Sequence, residues 1–140
     1  SGDAFVKDWI IKVRNDVPDA PVLVTAGGLL HYFEENKVIS LLRMIGQSGN
    51  MEVVFDTVNK KGMAMMQKKY MKQVGHADAQ MFFYVDAAKE LAAKIRGNVK
   101  VIAEEPYYRY IPKNGLKLST KVSMAVSDQF KMVKMIHLKL

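Results

Sequence analysis

Residues 21–33, PVLVTAGGLLHYF, decide how this chain folds. Val22, Leu23 and Val24 form a continuous β-favouring run, which predicts a strand covered on both faces. Gly27 and Gly28 then break the run, and paired glycines let the backbone turn where a side chain would obstruct a ligand. An amphipathic helix over residues 34–45 follows, because Val38, Leu41, Leu42 and Ile45 recur at i, i+3, i+4 and i+7. A strand, a glycine turn and a helix in that order build an α/β crevice, and ligands of such sheets lie at the carboxyl ends of strands. The same glycines serve equally well as a plain strand-to-helix turn.

Working outward, strand and helix patterns alternate, which argues for a parallel α/β sheet. Residues 51–58 read as a strand with Val53, Val54 and Phe55 in its core, and helical spacing resumes at Met63, Met66 and Tyr70. Asp86 is a plausible N-cap for a helix carrying Ala88, Leu91, Ala92 and Ile95 on one face, with Gly97 as its stop. Residues 99–103 return to strand character. Leu118, Val122, Ala125 and Val126 have helical spacing, while Ser119, Thr120 and Val122 equally favour a strand. Residues 132–140 alternate Ile136, Leu138 and Leu140 with His137 and Lys139, which suits a terminal strand.

Several pieces of this order resemble one family. Ala26-Gly27-Gly28-Leu29-Leu30-His31-Tyr32 resembles the strand-four region of the leucine carboxyl methyltransferase family, the class I S-adenosylmethionine-dependent O-methyltransferases that include polyketide-tailoring enzymes. The likeness continues through Glu34-Glu35, MEVVFDTV ending near Asp56, MFFYVDAAKEL and VIAEEPYY. It implies a Rossmann-like sheet represented by strands four to seven with flanking helices, the last strand antiparallel beside residues 99–103. Residues 1–140 then form a single domain, the carboxyl-terminal half of a methyltransferase fold, because no G-x-G-x-x-G and no strand–glycine–helix unit precede Pro21.

The resemblance also assigns residues. Asp3 and Ala4 correspond to the loop at the adenine of S-adenosylmethionine, where a carboxylate accepts a hydrogen bond from the exocyclic amine. Gly27 stands where the family carries an acid near the methionine moiety, a departure that weakens the expected cofactor site. His31 and Tyr32 border the methyl acceptor, a small molecule or peptide. His31 has the near-neutral pKa of a general base, against the alternative of a packed or surface histidine. Met81, Phe82 and Phe83 wall the substrate pocket or belong to the core, and Asp56 lines the crevice or caps the next helix. Without strands one to three, the strand at 21–26 is an edge, covered by its twin in a homodimer or by a chain carrying the amino-terminal half. The alternative function is a non-catalytic dimerisation or interaction module.

Composition narrows the remaining classes. With 49% hydrophobic and 25% charged residues, 140 residues can bury one core. The formal charge of +7 comes from scattered lysines without an arginine-rich stripe or stacking motif, so a nucleic-acid partner is not expected; an acidic protein partner would match it. Cysteine is absent, which excludes disulfides and thiolate chemistry and fits a cytoplasmic setting. No apolar run approaches the roughly 20 residues of a membrane helix, so no membrane partner is expected. His31, His76 and His137 show no metal-binding spacing, and His76 with Asp78 is too slight a pair for a site.

Overall fold

A computed structural model describes residues 2–74 and 80–140, with residues 69–74 described by their backbone alone. His76 and Asp78 lie outside the described residues. The elements run α1 (Asp8–Asp16), β1 (Val22–Ala26), a 3-10 turn (Leu30–Tyr32), α2 (Glu35–Gly46), β2 (Met51–Val58), α3 (Lys60–Val74), α4 (Ala88–Ile95), β3 (Lys100–Pro106), α5 (Leu118–Gln129) and β4 (Val133–Lys139). The fold is α/β with an open, mixed four-stranded sheet in the order β1-β2-β4-β3. β1 and β2 are parallel, whereas β4 inserts between β2 and β3 and runs antiparallel to both. The expected antiparallel last strand beside β3 is present, and residues 118–126 are helical. Among the described residues no helix is long and apolar enough to cross a membrane.

Period-two alternation gives the sheet two unlike faces. Met51, Val53 and Phe55 point inward with Ile136 and Leu138, and all five are buried against Ile10, the α2 residues Val38, Leu42 and Ile45, and the α4 residues Ala88, Leu91 and Ile95. The register sends Leu23, Thr25, Glu52, Val54, Asp56, Met135 and His137 to the other face, where none is buried. Leu23 is 56% exposed. The expectation that β1 is covered on both faces is therefore corrected: it is an edge strand with one half-buried face, because apolar residues at consecutive positions cannot all point inward.

Two helix starts are also built differently from their sequence pattern. Asp86 does not cap α4; its Oδ1 accepts the Lys60 N–H at the start of α3, 2.9 Å away, and Glu104 Oε2 accepts the Ala88 N–H at 3.1 Å. The other Glu104 oxygen meets Lys134 Nζ at 2.7 Å, and that ammonium also donates to the Asp86 carbonyl. A buried lysine thus ties β4, β3 and the approach to α4 together. α5 turns its apolar stripe the wrong way for a core helix: Met124 is buried, while Leu118 is 77% and Val122 52% exposed.

Candidate functional site

The carboxyl ends of β1 and β2 form the site. β1 stops at Ala26, paired with Phe55, so the next residues in register, Gly27 and Asp56, face each other across the strand ends. Gly28 adopts φ +62°, a left-handed conformation that favours glycine, and its N–H donates to Asp56 Oδ1 at 2.6 Å. A side chain at Gly27 would meet nothing within 4 Å. Thr25, Gly27, Asp56, Tyr107 and Met135 line a groove of about 420 Å³ there, within the usual size range of small-molecule pockets.

The segment after the glycines folds over as the 3-10 turn. Leu30 is buried and anchors it, and the His31 carbonyl accepts the N–H groups of Phe82 and Phe83 at 2.8 and 3.3 Å. His31 is 8% exposed, with its ring 4.3 Å from that of Tyr32. Burial pushes the imidazole below its ordinary pKa, and the nearby Asp56 charge pulls it partly back. Tyr32 is 39% exposed.

Residues 81–85 are extended and alternate, Met81, Phe83 and Val85 buried, Phe82 and Tyr84 outward. Of the two roles expected for Phe83, the structure gives it the core one, with its ring 6.5 Å from Phe55; Phe82 lines a second groove, beside the 2.6 Å ion pair of Lys94 with Glu35. Asp3 and Ala4 sit elsewhere. Asp3 Oδ1 accepts the Phe5 N–H, the Ala4 carbonyl accepts Trp9 Nε1–H, and Phe5 packs on Phe33 at 4.6 Å under Lys37. Both therefore lie near the start of α2, and neither lines the groove at Gly27.

Tyr107 and Met135 are the site residues that sequence reasoning missed. Tyr107 stands in the VIAEEPYY stretch, but its place in the groove depends on β4 lying between β2 and β3, and no local pattern encodes that order. Among the described residues no cluster of His, Asp and Glu could hold a metal ion. No protein-family model matches the chain, and comparison with curated proteins gives no match.

Proposed function

We propose that this chain is the strand-four-to-seven portion of a Rossmann-like, S-adenosylmethionine-dependent O-methyltransferase that methylates a carboxylate or hydroxyl of a small molecule or peptide in the cytoplasm. The observation that carries this reading is the sheet itself: a parallel pair with a glycine turn at the carboxyl end of β1, joined to an antiparallel last strand beside β3. The groove opens at those strand ends, where α/β sheets bind ligands.

The open space at Gly27 fits a cofactor passing close to the backbone. Gly27 would hold the methionine end of the cofactor, whereas Asp3 and Ala4, near the start of α2, lie outside the groove. The cofactor supplies an electrophilic methyl group on a sulfonium. The chain's own part is to align the acceptor oxygen with that methyl and to exclude water. A carboxylate acceptor needs no base. For a hydroxyl acceptor His31 would serve as the proton acceptor, with Tyr32 in the same 3-10 turn.

Pairing of the β1 edge belongs to the same reading. β1 carries no charge to guard its edge. Either a twin or an acidic chain carrying the amino-terminal half covers it, and the +7 charge favours the acidic chain. A non-catalytic interaction module is the second reading, favoured by the same open edge. Ultraviolet cross-linking with methyl-tritiated S-adenosylmethionine separates the two: label in the peptide containing Gly27 to Tyr32 supports the methyltransferase, and an unlabelled folded chain supports the module.

A further inference from the structure

The groove at the strand ends carries a charge asymmetry that points to its ligand. The register aligns Asp56, Met135 and Glu105 in one row across the open face of the sheet. Glu105 is neutralised by Arg109 at 2.7 Å. Asp56 has no cationic side chain within ion-pair distance among the described residues, although the chain as a whole is strongly basic. Its Oδ1 is held by the Gly28 N–H, which fixes the carboxylate, and its Oδ2 has no donor among the described residues. The other lining residues are Thr25, Ala26, Val54, Tyr107, Met135 and the two glycines.

We infer that this groove receives a cationic nitrogen of the methyl acceptor, an alkylammonium, with the Asp56 carboxylate as its counter-ion. The inference rests on the methyltransferase reading for the word acceptor; the ammonium site itself rests on the groove. An anionic group is opposed by Asp56, and a neutral one leaves the carboxylate unpaired. An ammonium gains an ion pair there, attraction to the face of an aromatic ring and contact with a polarizable sulfur. Gly27 sits at the β1 end of the groove and Tyr107 at the β3 end, so a cofactor held at Gly27 leaves the Asp56–Tyr107 side to the second substrate.

The test is methionine-methyl NMR of the full 140-residue chain, with the Met135 resonance assigned through Met135→Leu. Three probes of one shape are titrated: 3-phenylpropylamine, 3-phenylpropanol and 3-phenylpropionate. The amine is expected to move Met135 saturably, about tenfold more tightly than the alcohol, while the carboxylate leaves it unmoved. Asp56→Asn keeps an acceptor for Gly28 and is expected to reduce the amine to the level of the alcohol. Thr25→Lys, which brings a cation into the groove, should do the same without touching the Gly28 hydrogen bond. Glu105→Gln should leave the preference intact. Equal binding of amine and alcohol, a preference that survives both Asp56→Asn and Thr25→Lys, or no response to the amine overturns the inference. S-adenosylhomocysteine binding by the same sample separates the two readings. If it binds while the groove is blind to charge, the methyltransferase stands and the cationic acceptor falls; amine binding without it overturns the acceptor assignment for this chain and leaves an ammonium site alone.

Discussion

Gly28 donates its N–H to Asp56 across the ends of the first two strands, 2.6 Å from nitrogen to carboxylate oxygen. One hydrogen bond thus fixes both the glycine turn and the side chain that charges the groove. Asp56→Ala removes it and should cost about 1.5–3 kcal/mol, the range for hydrogen bonds to charged groups, with faster amide exchange at Gly28. Urea denaturation and hydrogen exchange measure the two effects. An unchanged midpoint with unchanged exchange at Gly28 would show that the turn holds without its anchor.

His31 makes stability depend on pH in a defined direction. Burial lowers its pKa and Asp56 only partly restores it, so the folded chain takes up this proton less readily than the unfolded one. Stability is full above the ordinary histidine value near about 6.5 and falls as pH drops below it. His31→Gln should flatten the decline between about pH 6.5 and 5, whereas Asp56→Ala should steepen it. A slope identical in the wild type and His31→Gln would rule out His31 as the titrating group.

Lys134 and Glu104 give the opposite kind of site, a buried ion pair with a structural task. Burial would raise the Glu104 carboxyl, but the Lys134 hydrogen bond, the Ala88 N–H and the charges of Lys134 and Lys131 together hold it below its ordinary value. Its contribution is present above the unfolded glutamate value near about 4.3 and is lost as pH falls through the depressed folded value. Lys134→Ala should cost towards the lower end of the roughly 3–5 kcal/mol for a broken buried pair, since a quarter of the Glu104 side chain is exposed. Lys134→Met with Glu104→Leu should recover part of the loss. Thermal melts from pH 3 to 7 test both statements; a single variant as stable as the wild type would contradict them.

Gly62 sits in the first turn of α3, where a Cβ would come within 2.5 Å of the Met132 carbonyl oxygen. Glycine to alanine in a helix ordinarily stabilises by about 1 kcal/mol. Here backbone blocks the space, so Gly62→Ala should destabilise instead, by about 1–3 kcal/mol as for other overpacked sites. A stabilised variant in urea denaturation would mean that α3 shifts freely away from Met132.

The two sides of α5 should respond oppositely to truncation. Met124→Ala is expected to cost about 2 kcal/mol or more. Leu118→Ser and Val122→Ser should change the stability of the isolated chain by no more than about 0.5 kcal/mol in urea denaturation. Equal destabilisation by all three would place the outward stripe in the chain's own core.

Much of the element order could be read from the sequence, because local pattern encodes it. Residues 51–58 appear as a strand with those bounds, and the apolar positions of α2 and α4 are buried as their spacing requires. What failed depended on tertiary pairing. Asp86 has the residue type of a cap, but the N–H it reaches belongs to Lys60, 26 positions earlier. Leu118 and Val122 have helical spacing, yet spacing cannot say whether a stripe faces the sheet or a partner. In the candidate site, Gly27 and Gly28 were visible as a break in an apolar run. Tyr107 and Met135 were not, because their approach to Asp56 follows from the insertion of β4.

The most direct test of the methyltransferase reading is a calorimetric titration of the folded 140-residue chain with S-adenosylhomocysteine. Saturable one-to-one binding is the predicted result, from the chain alone or from an oligomer that completes the site. A folded chain that gives no binding heat, and does not displace a fluorescent cofactor analogue, would contradict the claim that this chain holds the cofactor by itself and turn the search to a partner chain.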